Sequence, residues 1–208
     1  MSSSARACSP GEPGRALLER WLERVLATPG LTGLVSLDEA RRVLLDDALR
    51  ALPLVADAEG PVVDVGSGTG SPGIPLAVAL PGRRFTLLEA RRRRCDFLVE
   101  AAAELPNVEV VWGRAEEQPV DRYEVALAKA LAKPPVAAEL TLPLVRPGGI
   151  ALLWVGETAE PERVARAAAV VAGRLERTED GLLVLRKIAP TPPGFPRRPG
   201  RPGKRPLA

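Results

Sequence analysis

The segment from Asp64 to Gly73 constrains the fold of this chain more than any other. A short β-type run, Val62 to Val65, leads into it. Four glycines follow the acidic residue at closely spaced positions: Gly66, Gly68, Gly70 and Gly73. Glycine has no Cβ, so it adopts positive φ and lets a ligand approach the backbone closely. The pattern predicts a buried strand, a turn that binds a small molecule, and a helix whose first-turn N–H groups point at that molecule.

Length and composition indicate one globular unit. The chain has 208 residues, of which 46% are hydrophobic, enough for a substantial core. No apolar stretch reaches the roughly 18 residues that a membrane-spanning helix needs, and residues 1–14 lack the apolar core of a signal peptide. We therefore expect a cytoplasmic protein without a membrane segment. Cys8 and Cys95 fit neither a disulfide framework nor a zinc cluster, so we expect no metal.

Histidine is absent from the chain, which removes the usual general base near neutral pH. The composition therefore favours a reaction that needs little proton transfer over hydrolysis by a histidine-activated serine. The 29 basic and 26 acidic side chains give a net charge of only +3. Bulk charge thus indicates little about partners.

Four regions follow one another along the chain. Residues 1–14 are small and polar and predict a disordered leader, and residues 15–58 predict N-terminal helices. In the first of these helices, Leu18, Trp21 and Val25 recur at helical spacing; the second is predicted from Leu37 to about Leu52, with Ser36 as its N-cap. Residues 59–189 form the predicted ligand-binding core, and residues 190–208 a basic, proline-rich tail.

The core alternates short strands with helices. Strands are predicted at 62–65, 85–88, 108–112, 125–128 and 150–155, and helices at 74–80, 91–105, 135–144 and 161–175. This alternation predicts an α/β fold with a mostly parallel sheet and helices on both faces. Asp180 and Gly181 lie between two further strand-like runs, 175–178 and 182–188, which predicts a hairpin and an antiparallel last strand.

The glycine segment by itself fits two classes of ligand. Gly68, Gly70 and Gly73 match G-x-G-x-x-G, the dinucleotide pattern. Read from Asp64, the same segment has the acid-x-G-x-G-x-G spacing of S-adenosylmethionine-dependent methyltransferases. Glu89, at the end of the second strand, suits the ribose hydroxyls in both cases. The terminal hairpin after five strands favours the interpretation as a methyltransferase.

Several segments together carry a sharper resemblance. They are Asp64 to Leu76, Leu88 and Glu89, Arg94 to Leu98, Gly113 to Glu117, and the ending from Leu185 to Leu207. They resemble the RsmG (GidB) family, which methylates guanine N7 in 16S ribosomal RNA. The resemblance implies a Rossmann-like class I methyltransferase with a seven-stranded sheet, an N-terminal helical extension and S-adenosylmethionine as cofactor. It also implies 16S rRNA or the small ribosomal subunit as partner, and we expect a monomer.

The resemblance places methyl-donor contacts on five residues: Gly66, Ser71, Ala115, Glu116 and Lys129. The motif reasoning adds four more: Asp64, Gly68, Gly70 and Glu89. At Lys129 the family usually has arginine, whose planar fork lysine lacks. The chain also departs from the family pattern near Val43 and at Val155. No catalytic acid or base is predicted, because guanine N7 is unprotonated at neutral pH.

The tail carries five cations without a nearby acid in the sequence: Arg197, Arg198, Arg201, Lys204 and Arg205. Such a segment is expected to be extended and to contact RNA phosphates. Arg91 to Arg94 fit either phosphate contact or a solvated helix face. Two rival functions remain at this point, a small-molecule methyltransferase and a non-catalytic RNA-binding protein.

Overall fold

The computed structural model describes residues 11–179 and 181–208, and its centre is a seven-stranded sheet. The strands are β1 (Val62–Val65), β2 (Phe85–Glu89), β3 (Val108–Trp112), β4 (Tyr123–Lys129), β5 (Val145–Trp154), β6 (Gly173–Glu179) and β7 (Leu182–Lys187). Their order across the sheet is β3-β2-β1-β4-β5-β7-β6. Neighbouring strands from β3 to β5 pair in parallel, whereas β7 is antiparallel to both β5 and β6. The predicted mostly parallel sheet and terminal hairpin are confirmed.

Helices precede the sheet and connect its strands. The N-terminal region holds α1 (Glu12–Ala27), α2 (Leu37–Ala40), a π-helical stretch (Arg41–Asp46), α3 (Asp47–Leu49) and α4 (Leu52–Asp57). The core and tail hold α5 (Gly73–Ala79), α6 (Arg92–Ala101), α7 (Pro134–Thr141), α8 (Pro161–Val170) and α9 (Arg201–Lys204). Short 3₁₀ turns cover Ala115–Glu117 and Leu142–Leu144.

Alternate residues of the strands fill cores on opposite faces of the sheet. Val63, Ala126 and Leu153 pack with residues of α7 and α8. Val62 and Leu127, which point the other way along the same strands, belong to a core that includes α4 and α5 residues. A third cluster joins α1 to α5 and α6. This period of two is what a sheet covered on both faces requires.

Two helix boundaries in the N-terminal region differ from the prediction. Helix α1 begins at Glu12, so residues 12–14 are helical and not part of a leader; residues 1–10 of the predicted leader lie outside the described residues. Ser36 does cap α2, accepting a hydrogen bond from the Glu39 N–H. The helix predicted from Leu37 to Leu52 instead ends at Leu49, because Pro53 has no N–H to donate to the Leu49 carbonyl.

The helix predicted over 161–175 also ends early, at Val170. Ala172 adopts φ of 58°, a left-handed conformation that terminates a helix. Gly173 then begins β6. Within the described residues, no helix is long and apolar enough to cross a membrane.

Candidate functional site

The loop between β1 and α5 has the backbone that its glycines predict. Gly66, Gly68 and Gly70 have φ values of 72°, 56° and 98°, which L side chains rarely adopt. A Cβ on Gly66 would lie 2.5 Å from Leu131 Cδ1. The loop therefore needs glycine at position 66 for its conformation, and a Cβ there would also force the end of the Leu131 side chain to move.

Asp64 supports this loop from behind. Its buried carboxylate accepts a hydrogen bond from the Gly73 N–H at 3.0 Å, and burial raises the pKa of Asp64 to about 7. The Ile74 N–H donates to the Gly70 carbonyl, and Pro75 has no N–H. The expectation that the first turn of α5 offers N–H groups to a ligand is therefore wrong, because Asp64 and the loop already accept them.

Glu89 ends β2 beside the glycine loop. One carboxylate oxygen accepts a hydrogen bond from the Gly68 N–H at 2.9 Å, and the other accepts one from the Arg91 N–H at 2.8 Å. These two bonds fix the orientation of a carboxylate that is only 5% exposed. Each oxygen keeps a second lone pair for a hydroxyl donor.

A cavity of about 600 Å³ opens at the carboxyl ends of β1 to β4, within the range of small-molecule sites. Five segments of the core line it, together with part of the tail. The lining includes Gly66, Glu89, Arg91, Arg94, Gly113 to Glu116, Ala130 to Ala132, Val136, Leu140, Gly200, Pro202 and Gly203. We call this space the donor cavity because four of the predicted donor contacts, Gly66, Glu89, Ala115 and Glu116, line it. Its position at the carboxyl edge is where open α/β sheets bind ligands.

Known proteins identify the family. A family model described as rRNA small subunit methyltransferase G matches residues 15–179. The protein of that name from Symbiobacterium thermophilum is 36% identical over 216 residues, which cover 92% of this chain and 86% of the relative. The one from Synechococcus sp. (strain JA-2-3B'a(2-13)) is 34% identical over 95% of this chain and 87% of its own. This chain belongs to the rRNA small subunit methyltransferase G family.

Solved structures of methyltransferases have the same fold as this chain. A SAM-dependent methyltransferase from Aquifex aeolicus has a TM-score of 0.56 at 16% identity, covering 82% of this chain and 98% of that one. The Thermus thermophilus 16S rRNA N2 G1207 methyltransferase has a TM-score of 0.51 at 19% identity, covering 71% of this chain and 40% of that one. The predicted family and fold class are confirmed.

Of the nine predicted donor contacts of this family member, four line the donor cavity: Gly66, Glu89, Ala115 and Glu116. Asp64, Gly68 and Gly70 do not line it: the two glycines belong to the loop, and Asp64 supports the loop through the Gly73 N–H. The remaining two, Ser71 and Lys129, turn toward the N-terminal helices. The Ser71 hydroxyl donates to the Leu44 carbonyl at 2.7 Å. Lys129 forms an ion pair with Asp47 at 2.5 Å and donates to the Val43 carbonyl.

The N-terminal helices thus hold the glycine loop in place, which the sequence did not reveal. The indole N–H of Trp21 donates to the Thr69 carbonyl at 2.8 Å. The indole N–H of Trp154 in β5 donates to the Asp47 carbonyl of α3 at 3.0 Å, which attaches the same helical region to the sheet. The apolar spacing of α1 predicts that Trp21 is buried, but not which loop its nitrogen meets.

The tail is not the extended, unpaired segment that its composition predicts. Arg197 forms a bidentate ion pair with Glu139 of α7, and both N···O distances are 2.5 Å. Phe195 and Leu207 pack against the core between the sheet and α7, and Pro202 of α9 is buried. Of the five predicted RNA contacts, Arg197 therefore binds within the protein, whereas the other four are exposed.

A buried lysine anchors the start of the tail. Lys187 Nζ donates to the carbonyls of Leu142 and Val171 and, at 2.7 Å, to the Thr191 hydroxyl. Thr191 in turn donates through its N–H and its hydroxyl to the Asp121 carboxylate. Burial lowers the pKa of Lys187, against the opposing effect of Asp121. The sequence contained no signal that singled out this lysine.

The four consecutive arginines have different environments. Arg92 pairs with Asp96 at 3.0 Å and lies over the Trp112 ring, 4.9 Å from its centroid. Arg93 donates to the Pro29 carbonyl at 2.7 Å. Arg91 and Arg94 line the donor cavity. The run is therefore not one uniform solvated face.

Proposed function

We propose that this protein transfers a methyl group from S-adenosylmethionine to N7 of a guanine in 16S ribosomal RNA. Its class, an S-adenosylmethionine-dependent rRNA methyltransferase, is that of the family to which the chain belongs. The N7 position follows the family name, and the structural observation that supports S-adenosylmethionine as donor is the donor cavity. Four predicted donor contacts from three separate segments meet there, beside a glycine loop at the carboxyl edge of the sheet.

The residues of the cavity fit the proposed donor. Gly66 lines the cavity without a side chain, so the donor can approach its backbone closely. Glu89 would accept hydrogen bonds from the ribose hydroxyls with its remaining lone pairs. Ala115 and Glu116 follow β3, in the segment where S-adenosylmethionine-dependent methyltransferases usually contact adenine. When bound, the donor supplies a methyl group made electrophilic by its sulfonium.

The proposed reaction also suits a chain without histidine. Guanine N7 has an exposed lone pair and loses no proton when it attacks carbon. The protein then contributes chiefly by holding the two reactants in line, which can supply roughly 7–11 kcal/mol of the barrier reduction. No side chain of the donor cavity has to act as an acid or a base.

Exposed cations support RNA as the acceptor. Arg198, Arg201, Lys204 and Arg205 are exposed on the tail, next to the tail residues that line the donor cavity. Cations that neutralise phosphates give RNA binding that weakens as salt rises. We propose that these four side chains contact the phosphates of the substrate.

The proposed substrate also indicates where the protein acts. We propose a monomer that acts in the cytoplasm on 16S rRNA or on the small ribosomal subunit. No group of three or more potential metal-binding side chains occurs in the described ranges 11–179 and 181–208, and the proposed reaction requires no metal.

A deletion strain tests the proposal. Loss of one N7-methylguanosine from its 16S rRNA, restored by the intact gene and not by one encoding Gly66→Val, is the expected result. An unchanged modification pattern would exclude the proposed activity. Donor binding without methylation of ribosomal subunits would favour a small-molecule methyltransferase, and absence of donor binding would favour a non-catalytic RNA-binding protein.

A further inference from the structure

The tail does more than present cations at the surface, because it forms one wall of the donor cavity. Gly200, Pro202 and Gly203 line that cavity together with core residues. Pro202 is buried, although it belongs to a segment that is predicted to be extended. These residues lie in space beside Ala115 and Glu116, more than 80 positions away in the sequence.

A direct hydrogen bond joins the tail to a predicted donor contact. The Gly200 N–H donates to Glu116 Oε1 at 2.9 Å. Gly200 adopts φ of 78°, a conformation that suits glycine and points this N–H at the carboxylate. The bond holds Glu116 by one oxygen and leaves the other oxygen available to a ligand.

The attachment of the tail is strong enough to keep this wall in place. Arg197 is only 15% exposed and its partner Glu139 only 2%, and Arg197 also donates to the Arg205 carbonyl at 2.9 Å. These bonds hold both ends of the segment from 197 to 205 against α7. The tail segment that lines the cavity is therefore fixed at both of its ends.

We propose that residues 200–203 are part of the methyl-donor site and that Gly200 positions the Glu116 carboxylate to accept a hydrogen bond from the adenine amino group. This inference rests on the proposed function, since it takes the cavity to be the donor site. It assigns the tail a role in donor affinity and in recognition of adenine, separate from any contact with RNA.

Truncation before Gly200 tests the wall while retaining the Arg197 to Glu139 ion pair. Calorimetry with S-adenosylhomocysteine should show about a tenfold or greater weakening in the variant lacking residues 200–208, as expected for loss of a hydrogen bond to a charged group. The matched control is the full-length double variant R198Q/K204Q, which keeps residues 200–203 intact and removes two exposed charges. Its affinity for the same ligand should stay within about twofold of wild type.

A second ligand separates positioning from general destabilisation. S-inosylhomocysteine carries a carbonyl oxygen where the adenine amino group donates, so Glu116 would repel it. The full chain should prefer the adenosyl compound by about tenfold or more, and the truncation should reduce that preference. Loss of affinity for both ligands in equal proportion would overturn the positioning role.

Hydrogen exchange in the full chain covers the case in which the truncated variant does not fold. Adding S-adenosylhomocysteine should slow exchange of the amides from 200 to 204 along with those of the glycine loop. Protection of the loop alone would overturn the inference and leave the proposed function standing. If the full chain bound no S-adenosylhomocysteine at all, the proposed function would fail and the inference with it.

Discussion

The ion pair between Arg197 and Glu139 gives the sharpest test of the tail's attachment. Changing Arg197→Met removes both hydrogen bonds to a carboxylate that is 2% exposed. A buried charge left without its partner costs about 3–5 kcal/mol. The free energy of unfolding of a typical domain is only about 5–15 kcal/mol, so this substitution should remove a large part of it.

Urea denaturation and thermal unfolding measure the effect. For a protein of this size the melting temperature should fall by roughly 6–20 °C, at 2–4 °C for each kcal/mol. Arg198→Met is the matched control, because Arg198 is the adjacent arginine and is exposed; it should change stability by no more than about 0.5 kcal/mol.

The double variant E139L/R197M decides the physical cause. It leaves no buried charge, so its stability should return close to wild type, as replaced buried ion pairs often do. Equal costs for Arg197→Met and Arg198→Met would refute the reasoning. So would a double variant as unstable as the Arg197→Met single variant.

Three further predictions concern the glycine loop and its supports. Gly66→Val should abolish binding of S-adenosylhomocysteine in calorimetry, because a side chain there meets Leu131 at a backbone φ that valine avoids; unaltered affinity would show that the loop does not touch the donor. Burial raises the pKa of Asp64 from 3.8 to about 7, so the native state binds the extra proton and loses stability as the pH rises across that interval. Asp64→Asn should therefore gain stability relative to wild type between those pH values, by at most about 1.4 kcal/mol per unit, and urea titrations that show a pH-independent difference would contradict this. Trp21→Phe removes the hydrogen bond to the Thr69 carbonyl and should cost about 1–3 kcal/mol in unfolding free energy, with weaker donor binding; an effect on neither would mean that α1 does not support the loop.

Local signals were sufficient for much of the fold. Alternating apolar strands and helices predicted the parallel sheet, and the Asp180–Gly181 pair predicted the hairpin of β6 and β7. Two of the boundaries that differ from the prediction, at Leu49 and Val170, depend on one proline and one left-handed residue. Either feature acts within a single turn, where helical periodicity averaged over several turns carries little information.

Some of the predicted site residues lie together in the structure and others do not. Gly66, Glu89, Ala115 and Glu116 lie on segments that leave the carboxyl ends of parallel strands, so the topology itself brings them together. Ser71 and Lys129 were assigned to the donor by resemblance, yet their side chains meet Leu44 and Asp47 of the N-terminal helices. Side-chain direction in such a loop is set by neighbours that are distant in the sequence.

The sequence by itself determined the glycine loop, the order of strands and helices, and the family, because each of these follows from residue types at short, regular spacing. The tertiary structure alone decided which groups of the core the N-terminal helices and the tail contact. Composition predicted an unpaired basic tail, but Glu139 accepts Arg197 and Glu116 accepts the Gly200 N–H. The physical reason is that a partly or fully buried carboxylate gains most from a cation or N–H donor held beside it, and only the folded chain shows which donor reaches it.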